Sequence, residues 1–467
     1  MAERWEPDFL GPGFFARTFS LPDDDEGAVV TTVVRYSPEA STLHAFEASV
    51  SQRSSEASAS PGFSTLDSPM ASDFRASEEG RLDAGNAARA AADNAARAAA
   101  DNAARAAADN AARAAADNAA RAAAGNAARA AAGNAAPADN AARAAAGGEK
   151  SDDPGVEPED RKAKRRNPAF AFLAVHGWND YFYQTELARY VDSIGGAFYA
   201  VDLRKYGRSL REWQTFGYIR DFDEYDDELH VCRDLIYEEL GPKIPLVLYG
   251  HSTGGLACAL WADRHPGAAA GLVLNSPWLE YHGSTGMRQA GTPVVEILAR
   301  TSPTFVLPTA EDDFYQRALT AWRPDPGTEA VPGHEGSDDP FWTTGWNPNP
   351  EFRTGSGAPV RPGWLSAVLN GHARVAAGLD VGCPILVLTS ARSLTGNTWR
   401  EDFRAVDSVL DVKQIWKRVP ELGSHTTLVK LDDAVHDVTF SRREVRERAF
   451  EEIGRFLSAY VTDPARM

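Results

Sequence analysis

Residues 245–264 read PLVLYGHSTGGLACALWADR, and this stretch decides the fold. PLVLYG (245–250) is a continuous apolar run, the pattern of a strand covered on both faces. The segment from Thr253 to Arg264 is rich in Ala and Leu and reads as a helix. Between them stands Gly250-His251-Ser252-Thr253-Gly254, a G-x-S-x-G motif that occurs once in the chain. A strand and a helix joined by that motif make a nucleophile elbow. The turn is so tight that only small residues, here Gly250 and Gly254, fit on either side of Ser252. Gly255 gives the helix further room to pack. As a bare turn, Ser252 would only cap the helix; its place between strand and helix favours the nucleophile.

Outward from the elbow, strands and helices alternate. FFARTFSL (14–21) and TTVVRY (31–36) pair as a hairpin. AFAFLAV (169–175), AFYAVDL (197–203), AGLVLNS (270–276), PILVLTS (384–390) and TLVKLDD (427–433) are further strands. Helices are expected from Thr185 to Ile194, from Tyr225 to Leu240 and from Arg442 to Tyr460, the last N-capped by Ser441. Such alternation predicts an α/β fold, a mostly parallel sheet with helices on both faces. The stretch 277–381 does not alternate and is rich in Pro, Gly and Trp. It reads as a cap inserted after the strand that follows the elbow helix. The core is then expected in three pieces: the hairpin 1–36, residues 167–276 and residues 382–467.

Residues 37–166 interrupt this pattern. After a Ser- and Ala-rich stretch comes a tandem octapeptide, (D/G)NAARAAA, with copies starting at Gly85, Asp93, Asp101, Asp109, Asp117, Gly125 and Gly133. Each copy offers only alanine for burial. An eight-residue period advances about 80° beyond two helical turns, so no face stays in register. A stacked solenoid is therefore excluded, and the segment reads as a low-complexity insertion, disordered or an isolated helix. The run RKAKRR (161–166) ends an acidic stretch and reads as a solvated linker.

The 467 residues carry a formal net charge of −18, which argues against a protein that grips nucleic-acid phosphates or anionic lipid. Cys232, Cys258 and Cys383 form neither a disulfide framework nor a zinc spacing. No apolar run approaches the roughly 20 residues that span a bilayer, and no leader pattern opens the chain. A cytoplasmic location is expected, with neither metal nor organic cofactor.

A serine nucleophile needs a base, and the base an orienting acid. Of the histidines after Ser252, His265 closes a helix, His282, His334 and His372 fall in the cap, and His425 precedes a strand. Only His436 lies in the loop past the last core strand, at the edge where Ser252 emerges. The acid is sought after PILVLTS, among Asp402, Asp407 and Asp411. Asp407 is the best placed, and Asp411 reads as the N-cap of a helix starting near Val412. The developing oxyanion needs two backbone N–H donors. Thr253 directly follows the nucleophile, and Trp178 sits in the loop His176-Gly177-Trp178-Asn179-Asp180. His176 reads as a buried ring that shapes this loop.

The segments HGWNDYF, VDLRKYGRS, YGHSTGG, LVLNSPW and VHDVTFS resemble the α/β-hydrolase fold. They are similar to its bacterial lysophospholipase-like, monoacylglycerol-lipase-like and serine-aminopeptidase-like branch. The resemblance covers residues 1–36 and 167–467. It implies Ser252, Asp407 and His436 as triad and Trp178 and Thr253 as oxyanion donors. Two departures stand out. Lys205 and Tyr206 replace a Gly and small-polar pair, a change that reads as remote from the chemistry. A long loop, 391–406, precedes Asp407. The implied activity is hydrolysis of a small-molecule carboxylic ester with a lipid-like acyl chain. The competing readings are an amide hydrolase of aminopeptidase type, with Glu311, Asp312 and Asp313 holding a substrate amine, and a silent hydrolase fold used for binding. Haloalkane dehalogenase and epoxide hydrolase chemistry need an aspartate where Ser252 stands.

The insertion leaves after one strand and returns before the next, where a plain connection would lie. A chain joining Ser37 to Asn167 through a few Gly and Ser residues is expected to melt near the parent. It should hydrolyse the same esters with similar kcat/KM. A large loss of turnover in the folded deletion protein would show that the repeats act on the cap or substrate.

Overall fold

The computed structural model describes residues 4–38, 167–281, 285–308, 314–320, 333–334, 336–353, 357–396 and 398–462. The readings that concern the repeats, Glu311–Asp313 and His282 fall outside them. The described strands are β1 (Glu6–Pro7), β2 (Phe14–Asp24), β3 (Gly27–Tyr36), β4 (Phe170–Val175), β5 (Gly196–Asp202), β6 (Leu246–His251), β7 (Gly271–Asn275), β8 (Ile385–Ser390) and β9 (Thr426–Leu431). They form one sheet in the order β1-β2-β3-β5-β4-β6-β7-β8-β9. β2 and β3 form the antiparallel hairpin, β3 lies antiparallel to β5, and every pairing from β5 to β9 is parallel. The chain runs outward from β4 to β5 and then returns to β6 on the other side of β4. That reversal opens a crevice at the carboxyl ends of β4 and β6.

The strand side chains explain why both faces are covered. Along β4, Phe170, Phe172 and Ala174 pack with Leu187 and Val191 of α1 (Thr185–Ser193) and with Ala449, Ile453 and Leu457 of α8 (Arg443–Tyr460). The alternate residues Ala171, Leu173 and Val175 pack with Leu229 and Cys232 of α2 (Asp226–Leu240) and with Leu256 and Leu260 of α3 (Thr253–Arg264). This is the period of two expected of a strand, with each face apolar. Gly241, at φ 91°, takes the left-handed position that ends α2.

Between β7 and β8 the chain forms α4 (Thr285–Thr301), α5 (Phe314–Leu319) and α6 (Pro362–Ala377). The span read as cap therefore contains a helix of the core layer. Ala367, Val368 and Val375 of α6 are buried in the cluster that holds α2 and α3. Gly371 lets α6 close on α3, because a Cβ there would stand 3.0 Å from Leu256. A short α7 (Val412–Arg418) follows β8, and Asp411 caps it by accepting from the Lys413 N–H at 3.1 Å. Ser441 does not cap α8. The helix starts one residue later behind Arg442, which makes no side-chain cap. The Ser441 hydroxyl instead accepts from the Val435 N–H at 3.0 Å, inside the loop that follows β9.

A tight contact in the core lies where α3 meets the end of β4. A Cβ on Gly254 would stand 2.3 Å from the His176 carbonyl oxygen and 2.5 Å from that of Val175. Both are backbone atoms held by the sheet and cannot swing aside. Gly254→Ala is expected to cost about 1–3 kcal/mol or more, lowering Tm by several degrees. Gly382→Ala is the control, since a Cβ there meets nothing within 4 Å. Equal melting curves for the two variants would refute the packing account.

Candidate active site

β6 delivers the elbow. Ser252 adopts φ 53° and ψ −117°, a left-handed conformation that costs a non-glycine residue on the order of 1–3 kcal/mol. Three backbone hydrogen bonds hold it there. The Ser252 N–H donates to Asn275 O at 3.0 Å, and Ser252 O accepts from Gly255 at 3.0 Å and Trp278 at 2.9 Å. Gly250 is required because a Cβ would stand 2.5 Å from Gly254 O. Gly177 is required too: a Cβ there would stand 2.9 Å from the Ser252 Cβ. The loop after β4 thus passes directly over the serine.

The two residues read as oxyanion donors flank this contact. Thr253 is the first residue of α3, where a backbone N–H has no acceptor within the helix. Trp178 follows Gly177, and its ring packs on Trp364 at 3.7 Å, Phe216 at 5.5 Å and Tyr206 at 5.9 Å. Tyr206, read as remote from the chemistry, therefore forms part of the wall behind this loop. Lys205 has a left-handed backbone, at φ 63°, in the region that favours glycine. Its buried ammonium is neutralised by Asp24 at 2.6 Å and Glu26 at 2.7 Å. His176 is buried: Nδ1–H donates to Gly177 O at 2.8 Å, and Nε2 accepts from the Leu203 N–H at 3.1 Å. Burial lowers its pKa, so it is a neutral ring that shapes the loop.

His436 stands in the loop after β9 with its ring 4.8 Å from that of His251, the residue before Ser252. Its Nδ1–H donates to Asp407 Oδ2 at 2.9 Å, in a pair that is almost fully buried. This assignment leaves Nε2 as an acceptor. The other carboxylate oxygen of Asp407 accepts from Val409 at 2.9 Å and Leu410 at 2.7 Å. The long loop before Asp407 returns to the sheet. Asp407 bridges Ser393, three residues beyond β8, through Asp407 N–H to Arg392 O and Leu394 N–H to Asp407 O, both 3.1 Å. Phe403 and Val406 anchor the excursion on Phe314. The other candidates lie apart from His436. Asp402 is exposed and pairs with Arg400, and Asp411 caps α7. The His425 ring packs on Tyr460, and Ile385 bonds its carbonyl where β8 begins, at the far end of the sheet. His265 stacks on Trp261, His334 on Trp342, and His372 bonds the Trp278 carbonyl.

Several residues missed in the sequence surround His436. Asp437 is fully buried. Burial works against its ionisation, yet the His251 ring and donors from Thr439, Gln184 and Asn275 hold its carboxyl below the usual range. Burial pushes His251 down to about 4, so it is neutral at pH 7. Tyr315 sets its ring edge against His436 at 5.5 Å. The stretch 336–353 crosses this region. Its Asn349 N–H donates to the Tyr181 hydroxyl at 2.7 Å, and Trp346 Nε1–H donates to Phe440 O at 2.7 Å. Arg353 bonds the Tyr183 hydroxyl and lies 3.8 Å from Asp180. One signal for part of this set was available in the sequence: a polar Asn275 closing an otherwise apolar strand.

Comparison with known proteins bears on the fold. A family model described as serine aminopeptidase, S33, matches residues 166–326. Strand order, elbow and strand–helix alternation decide the matter. The fold is that of the α/β hydrolases. The monoacylglycerol lipase of Mycolicibacterium smegmatis is 23% identical over 164 residues, 34% of this chain and 56% of that protein. The match thus spans little more than half of that relative's length. Among α/β-hydrolase structures, a soluble variant of the Saccharomyces cerevisiae monoglyceride lipase is 16% identical, covering 64% of this chain and 89% of its own, with a TM-score of 0.47. The Paleococcus ferrophilus monoacylglycerol lipase is 18% identical, covering 63% and 96%, with a TM-score of 0.43.

Asp180 gives this site a pH signature. Burial pushes its carboxyl from the usual 3.8 up to about 7, against the pull of Arg353. The folded state then holds the proton more tightly than the unfolded chain. The contribution of Asp180 to stability is full below about pH 3.8 and is lost as pH rises through 7. Asp180→Asn lacks this proton. Urea unfolding should show the wild type losing stability between these pH values more steeply than the variant. Parallel profiles would refute the assignment.

Proposed function

We propose that this chain is a serine hydrolase of carboxylic esters with apolar, lipid-like acyl groups. The observation that carries the reading is the buried His436–Asp407 pair, with the His436 ring set against His251, the residue before the strained Ser252. His436 Nε2 takes the Ser252 proton as Oγ attacks the carbonyl carbon. The N–H groups of Trp178 and Thr253 hold the oxyanion. His436 then protonates the leaving alcohol, and an acyl-serine remains. Water, deprotonated by His436, attacks it; the acid leaves as the imidazolium returns its proton to Ser252 Oγ. Asp407 keeps the ring oriented and stabilises its cationic form. No cofactor takes part in these steps. The acyl preference is supported by half-buried Trp178 and Trp278, which flank buried Trp364. Among the described residues no helix is long and apolar enough to cross a membrane. Free, buried Cys232 and Cys258 suit the reducing cytoplasm. The amide-hydrolase alternative rests on acidic residues outside the described ones.

Purified protein should hydrolyse p-nitrophenyl esters and leave aminoacyl-naphthylamides largely intact. Ser252→Ala should lower kcat by roughly 10⁴–10⁶-fold, and Asp407→Asn by a factor on the order of 10⁴. His436→Gln should be nearly inactive, with His425→Gln, Asp402→Asn and Asp411→Asn within about tenfold of wild type. Near-normal turnover in Ser252→Ala would sink the mechanism, and a damaging Asp402→Asn would reassign the acid.

A further inference from the structure

Asn275, the last residue of β7, is fully buried and reaches in two directions. Its backbone carbonyl accepts from the Ser252 N–H at 3.0 Å and from His251 Nδ1–H at 3.2 Å. Its side chain reaches the loop that carries His436. Oδ1 accepts from the Val438 N–H at 3.1 Å, and Nδ2 donates to Asp437 Oδ1 at 2.6 Å and to the Tyr249 hydroxyl at 2.6 Å. One residue therefore touches both the elbow and the two positions that follow His436.

We propose that Asn275, with Asp437 as its partner, is a positioning residue that sets Ser252 and His436 in register. The inference rests on the reading of those two as nucleophile and base. A primary amide suits the task because it offers an acceptor and two donors, and all are used here. Asp437 completes the tie. Its Oδ1 also accepts from the Thr439 N–H at 3.0 Å and hydroxyl at 2.7 Å, and its Oδ2 from Gln184 Nε2–H at 3.2 Å. The Asp437 N–H donates to the Tyr315 hydroxyl at 3.1 Å, and the Tyr315 ring edge rests on His436. The base loop is thus held from β7, from the residue before α1 and from α5. Of these, only Asn275 also holds the serine. A misplacement of about 1 Å between reacting groups costs on the order of 10²-fold in rate.

The test compares Ser252→Ala, Asn275→Ala, Asn275→Asp, and Asn275→Asp combined with Asp437→Asn. Turnover of a p-nitrophenyl ester, labelling of Ser252 by a fluorophosphonate and thermal melting are measured on each full-length protein. Asn275→Ala should lose about 10²-fold in kcat with KM within about threefold, and its labelling rate should fall in parallel. Asn275→Asp sets a second carboxylate against Asp437 and should lose at least as much. Adding Asp437→Asn restores a donor facing an acceptor and should recover about tenfold or more. Wild-type kcat in folded Asn275→Ala, or a combined variant no faster than Asn275→Asp alone, overturns the positioning role. If Asn275→Ala does not fold, the exchanged pair decides. Turnover retained by Ser252→Ala overturns the nucleophile reading and this inference with it. An inactive Ser252→Ala beside an unimpaired Asn275→Ala overturns the positioning role alone.

Discussion

The closeness of α3 to the end of β4 is the constraint on which the site depends. Ser252 holds a left-handed backbone only because both of its flanks are over-determined. Gly254 brings the helix within contact of the His176 and Val175 carbonyls, and Gly250 brings the strand under the helix. Nothing larger than hydrogen fits at either place. The same contact lays Gly177 on the serine side chain. The geometry of the loop after β4, and of Trp178 within it, is therefore inherited from how tightly one helix packs on one strand.

Buried polar groups then specify what apolar packing leaves open. Apolar side chains fix the spacing of helix and sheet but are indifferent to small rotations of a loop. Around His436 the loop is tied by directional bonds from Asn275, Gln184 and Tyr315, and its neighbour Asp407 is tied by two backbone N–H groups. Each bond is worth little net, but leaving any of these buried groups unpaired would cost about 1–3 kcal/mol. Such a network penalises every arrangement but one. Asp180 stands at its edge, where burial and Arg353 pull its proton in opposite directions.

Most of the fold was legible in the sequence because its signals are local. The apolar runs, the elbow and the amphipathic helices each lie within a few residues, and the observed bounds differ from the expected ones by one or a few positions. The cap span was less so. Whether α6 covers the site or the sheet depends on which helix Gly371 meets, and the partner, α3, lies more than a hundred residues away. Ser441 shows the same limit. A serine before a helix satisfies the local rule for a cap, but here a loop N–H from Val435 took its hydroxyl first.

For the site, the sequence by itself determined the residue types and their order: one serine in an elbow, one histidine past the last strand, and a choice of three acids between them. The sequence placed Asp407 best by position alone, and the tertiary structure shows it to be the acid that meets the histidine. Asp402, Asp407 and Asp411 are chemically equivalent on paper. The chain's return to Ser393 carries Asp407 alone to His436, leaving Asp402 in solvent and Asp411 on a helix end. Asn275 showed in the sequence only as a polar end to an apolar strand, and the contacts of Asp437 and Tyr315 were not legible there, because they join elements far apart in the chain. Local chemistry is written in neighbouring residues, whereas the placement of His436 relative to the elbow is set by long-range packing.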